Sequence, residues 1–174
     1  MAENTASAAG GEAPDALLVA GVATFHTVAL VVLGVVGLVA GGSVGDVLSL
    51  LSTELGFALF LALWVIVAWT HRRLFRAVSL HGTPLRGLVR PALTWGAITG
   101  WLFFLVVLLV IAGQFLLSFL LGSGFSSLRD LATTVGILFG IGSVLSAVVG
   151  AVVGLAGAAV DRAVVLAVDA AVSG

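Results

Sequence analysis

Four stretches of this chain run for twenty or more residues with hardly a formal charge: Ala16 to Gly42, Leu51 to Thr70 with Glu54 near its start, Ala92 to Leu121, and Leu131 to Val160. A helix rises about 1.5 Å per residue and the hydrocarbon core of a bilayer is about 30 Å thick, so each run is long enough to cross once. The runs are continuous, whereas the strands of a membrane barrel alternate. The pattern predicts an all-α integral membrane protein, a four-helix transmembrane bundle over residues 16–160 with crossings at about 16–42, 47–70, 92–121 and 129–160. Residues 1–15 read as a disordered tail, 71–90 as an Arg-rich loop and 161–174 as a short C-terminal tail.

Composition closes off the alternatives. With 61% hydrophobic and 9% charged residues, the chain is far from the roughly one-quarter charged content of a soluble domain. Seven basic residues, all Arg, against eight acidic ones leave a net charge of -1, which provides no basic field for nucleic acid. The absence of Cys removes thiolate metal sites, disulfides and cysteine nucleophiles. No phosphate-cradling Gly motif, nucleophile elbow or HExxH stands in the sequence, so no enzyme and no cofactor are expected.

Helix punctuation supports the division. Pro14 and Asp15 suit a first helical turn, and Pro91 suits the opening of the third crossing. Ser43 with Asp46, and Ser127 with Asp130, have capping-box spacing. Gly122 fits a left-handed cap. Such short connections make adjacent crossings antiparallel neighbours. The apolar stretch after residue 15 is about twice the length of a signal-peptide core and has no basic residue ahead of it, so it reads as a crossing and not as a removable leader. A shift of 80 residues superposes Gly42, Ser43, Leu48, Leu51, Thr53 and Gly56 on Gly122, Ser123, Leu128, Leu131, Thr133 and Gly136, which raises the reading of a duplicated hairpin.

Orientation follows from the arginines. Arg72, Arg73, Arg76, Arg86 and Arg90 all fall between the second and third crossings. Basic loops stay inside, which puts both termini on the cytoplasmic side of the cell membrane. The four tryptophans, Trp64, Trp69, Trp95 and Trp101, gather at the same boundary. The arginines suit anionic headgroups, with Leu74, Phe75 and Val78 giving an amphipathic extension to the second crossing.

Within lipid, helices associate through small residues that let backbones approach. Gly142, Ser146, Gly150, Gly154 and Ala158 recur every four residues, and the first crossing offers Gly34, Gly37 and Gly41. The sequence therefore predicts contact between the first and fourth crossings, with self-association through the fourth as a second reading. Three polar residues lie at depth: His26, expected near mid-bilayer, Glu54 and Gln114. No second His, Cys or carboxylate stands near His26 at ligand spacing in the chain, so no metal site is predicted. The reading that results is a non-enzymatic multi-pass membrane protein, an accessory subunit or small scaffold, partnered by lipid, by a second copy or by another membrane protein. The alternative is a small transporter or channel built on His26, Glu54 and Gln114.

Overall fold

The computed structural model describes residues 16–43, 45, 52–77, 85–122 and 127–173. It is all-helical, with α1 over Ala16–Ala40, α2 over Thr53–Ala77, α3 over Leu85–Leu120 and α4 over Leu128–Ser173. All four are long and apolar enough to cross a membrane. The tail 1–15, the Pro14–Asp15 start and Asp46 lie outside the described residues.

The described helix ends use the chemistry that their residue types suggest. At the end of α1, Gly42 is left-handed at a φ of 71°. Gly42 donates its N–H to Val39 (3.1 Å) and Ser43 to Leu38 (3.0 Å), which are the paired bonds of a Schellman cap. Ser43 thus closes α1; α2 opens at Ser52, whose hydroxyl accepts the Leu55 N–H at 3.2 Å. Gly122, at φ 69°, ends α3 as expected. Ser127 caps α4 by accepting the Asp130 N–H at 3.2 Å and donating its hydroxyl to the Asp130 carboxylate at 2.8 Å. The two left-handed glycines, Gly42 and Gly122, keep the 80-residue offset.

Helices outlast hydropathy. α2 runs through Arg72, Arg73 and Arg76 to Ala77 and α3 begins at Leu85, so Pro91 lies inside a helix and does not open it. Its missing N–H frees the Gly87 carbonyl alone, a loss one helical turn tolerates near an end. α4 continues past Asp161 and Arg162 to Ser173 because the Ala/Val/Leu-rich sequence there has neither Gly nor Pro to stop it.

Packing differs from the expectation in one decisive respect. The most extensive interface joins α3 and α4, while α1 packs mainly on α2, and α2 on α3. The small-residue face of α4 meets α3, not Gly34, Gly37 and Gly41 of α1. A Cβ on Gly96 would strike the Gly150 carbonyl and come within 2.8 Å of the Gly154 Cα, and one on Gly154 would lie 2.6 Å from the Ala92 carbonyl. A Cβ on Gly100 would strike the Ser146 carbonyl, and the Phe104 ring fills the space over Gly142. Ala158 is buried lower on the same face. Gly34 and Gly37, by contrast, would carry a methyl with nothing within 4 Å of it, and one on Gly41 would meet only its own helix. The reason is reciprocity: α3 supplies a matching Gly96/Gly100 pair, and two glycine faces approach more closely than one glycine face against the Val and Leu side chains of α1.

On the other side of α3, Ala23, Leu63 and Val67 form a small buried cluster flanked by Leu30, Trp64 and Phe103. Thr99 donates to Thr70 at 2.9 Å, and Thr70 passes its own hydrogen to the Ile66 and Val67 carbonyls at 3.0 Å. Trp64 donates to Thr24 at 3.0 Å and ties α1 to α2.

Gly96→Ala and Gly150→Ala should each cost about 1–3 kcal/mol through overpacking of backbone against backbone, lowering the melting temperature in detergent. Gly34→Ala and Gly37→Ala should be neutral or stabilising by up to about 1 kcal/mol through helix propensity; the reverse ranking would refute the α3–α4 seam.

Candidate functional site

Because α4 spends its small face on α3, α1 stands off from α4 along most of its length and a cleft of about 650 Å³ remains between them. Its walls are almost wholly apolar, supplied by residues such as Leu30, Val35, Leu63, Phe103, Val107 and Val153. The wall carries its titratable groups at the end nearer the Arg-rich segment. There His26 of α1, His71 of α2 and Asp161 of α4 come together, with their potential ligand atoms all within 4.8 Å of one another.

Each histidine is aimed by its own helix. Side chains on a helix lean toward its N-terminus, and the ring of each folds back one turn: His26 Nδ1 lies 2.9 Å from the Val22 carbonyl and His71 Nδ1 2.9 Å from the Val67 carbonyl. A carbonyl only accepts, so both Nδ1 atoms carry the hydrogen. A neutral ring with a protonated Nδ1 has a bare lone pair on Nε2. The His26 Nε2 is buried without a hydrogen-bond partner and stands 3.6 Å from Asp161 Oδ1, both side chains being 12% exposed. The two imidazole rings are 4.8 Å apart between centroids. Room for the His26 ring exists because residue 157, one turn before Asp161, is Gly: a Cβ there would lie 2.9 Å from His26 Nε2.

The expected polar set does not form. Glu54 is exposed in the first turn of α2, short of Leu63, where the α2 wall of the cleft begins. Gln114 is exposed on α3, two turns beyond Val107, where the α3 wall ends. His26 is not isolated at mid-depth either: it faces His71, whose chain neighbours Arg72 and Arg73 belong to the basic end. Hydropathy puts His71 in a loop and Asp161 in a tail, and the continuation of α2 and α4 makes both of them helical residues that face the cleft. No spacing rule links His26, His71 and Asp161; the usable signal is that His71 and Asp161 fall a turn or less beyond the apolar runs, where helices commonly persist.

The arginines stay outside this site. Arg72, Arg73, Arg76, Arg86 and Arg90 are all exposed. Arg73 lies over the Trp69 ring at 5.4 Å, and Trp69 meets Trp95 edge to face at 5.9 Å, which joins α2 to α3 at this end.

Fold and site together define an all-helical protein of membrane-spanning proportions with a polar pocket at one end of an apolar cleft. Residues 15–174 match the family described as a family of unknown function, DUF7965, and the chain belongs to it. No curated protein and no solved structure matches it.

His26→Leu and Asp161→Leu should each destabilise the chelator-treated protein, since each leaves the other group buried without a partner. The double variant should recover part of the loss, with a coupling of about 0.5–3 kcal/mol in a thermal or denaturant cycle. Strict additivity would mean that the two groups do not interact.

Proposed function

We propose that this chain is a non-enzymatic multi-pass protein of the cell membrane that works as a small binding component of accessory or scaffold type. Its binding site is the polar end of the cleft. The observation that carries this reading is the convergence of His26, His71 and Asp161 from three separate helices onto one largely apolar space. Burying three titratable groups is costly, so their convergence is better explained by something they hold than by packing.

In this reading adjacent crossings are antiparallel. The registers that support it are Gly96 opposite Gly150 and Gly154, with Gly100 opposite Ser146 and Gly150, numbers that fall on one helix as they rise on the other. Both termini and the segment 78–84 lie on the cytoplasmic side. Five exposed arginines and the Trp69–Trp95 pair at that end support the orientation, and the arginines would meet anionic headgroups. The α4 stripe is taken up by α3, so a partner protein or second copy would engage the cleft or the exposed face of α1 instead. Transport has less support, because Glu54 and Gln114 lie off the cleft and, among the described residues, no polar path continues from His26 toward the far side. The non-enzymatic part rests on inventory: the chain has no Cys and no Tyr, and the nearby hydroxyls of Thr70 and Thr99 are engaged with each other.

The absence of Cys makes single-Cys labelling direct. In intact cells an impermeant maleimide should label Ser43→Cys but not Gly82→Cys, with the latter labelled only after permeabilisation; the opposite pattern would invert the topology. In the His26→Cys/Asp161→Cys variant a short bismaleimide should cross-link α1 to α4 within one chain, and failure to do so would remove the site on which the reading stands.

A further inference from the structure

We infer that His26, His71 and Asp161 form a binding site for a divalent transition-metal ion of the zinc class, with a fourth coordination position open to the cleft. The inference rests on the convergence used above and names what that site holds.

Three features of the geometry point to a metal and not to a hydrogen-bonded cluster. First, the donor inventory is poor for a cluster. Both rings spend their Nδ1 hydrogens on carbonyls of their own helices, so no more than a proton on His26 Nε2 or on the carboxylate is left to pair His26 with Asp161. One proton pairs two of the three groups, whereas a metal ion engages all three at once. Second, the His26 Nε2 is shut away from solvent and has no hydrogen-bond partner, and its distance of 3.6 Å from Asp161 Oδ1 is too long for a hydrogen bond. Third, the spacing suits coordination. With metal–ligand bonds of about 2.0–2.1 Å, neighbouring ligands of a tetrahedral ion are about 3.3 Å apart. The His26–Asp161 separation is close to that edge, and the remaining atoms, within 4.8 Å, reach it by small side-chain rotations.

The surroundings have the form of a built site. A ligating imidazole ordinarily donates its second N–H to a carbonyl or carboxylate, which fixes the tautomer and the ring; the Val22 and Val67 carbonyls do this here. Gly157 and Asp161 sit one turn apart on α4, so one face of that helix both clears space for the His26 ring and supplies the carboxylate. Two imidazoles and one carboxylate favour zinc, cobalt or nickel over magnesium or calcium, which take oxygen ligands. Three protein ligands leave a position open to an exchangeable water or an anionic group in the cleft. The ligands come from α1, α2 and α4, so occupancy would tie α1 to α4 where their packing is otherwise sparse.

The test uses the full chain in detergent, stripped with chelator and titrated with Co²⁺ and Zn²⁺. The expected result is one metal per chain, with the visible absorption of tetrahedral Co²⁺ bleached by Zn²⁺, and a rise in melting temperature on zinc binding. His71→Ala and Asp161→Asn should weaken binding by at least about a hundredfold. Gly157→Ala keeps all three ligands but displaces the His26 ring, and should weaken binding about tenfold while the stripped protein stays folded. Gln114→Ala should change nothing. Wild-type protein that takes up no zinc at micromolar concentration, or binding that survives His71→Ala and Asp161→Asn alike, overturns the inference. If the bismaleimide joins the His26→Cys and Asp161→Cys positions while wild type binds no metal, the convergence stands and the metal falls; if neither occurs, both fall.

Discussion

The approach of α3 to α4 through glycine decides the rest of the molecule. In an apolar solvent helices gain little by hiding apolar surface, and what remains is contact at short range. Gly96 and Gly100 against Gly150 and Gly154 bring two backbones closer than any methyl would allow. Once α4 has committed that face, it has little left for α1. The cleft is the space that this commitment leaves, and at its polar end His26 reaches past Gly157 to Asp161.

The second helix acts as the hinge post between the two halves. It holds α3 through the Thr70–Thr99 hydrogen bond and the Trp69–Trp95 contact, and α1 through Trp64 and Thr24. These are short polar and aromatic contacts at the basic end, which is also where the histidines are. Rigid attachment is therefore concentrated around the polar site. Farther along, α1 exposes Val32, Leu33 and Val36 away from the cleft that Val31 and Val35 line, as befits a helix whose neighbours there would be lipid chains.

Much of this architecture is legible in the sequence, for physical reasons that differ from element to element. Four helices follow from length and apolarity, and the caps at Gly122 and Ser127 from residue types with few other uses. Helix ends at Ala77 and Ser173 are not legible from hydropathy, because Arg and Asp end an apolar run without ending a helix. The partner of the small-residue face is also hidden. A stripe of glycine says that something comes close; only the matching stripe on α3, at Gly96 and Gly100, says what. The site suffers most, since His26 is visible alone whereas His71 and Asp161 fall by hydropathy into a loop and a tail. Residues far apart in the chain meet only through helix packing, and grouping Glu54 and Gln114 with His26 by depth ignores where the cleft begins and stops.

α4 spans 46 residues, a rod about 69 Å long, more than twice the thickness of the hydrocarbon slab it is proportioned to cross. Such a rod in a bilayer would have to lean, protrude, or do both. Because Gly150 and Gly154 hold it directly against Gly96 and Gly100, any lean would be shared with α3, and the Asp161 carboxylate stands one residue past the apolar run, where the surplus length begins.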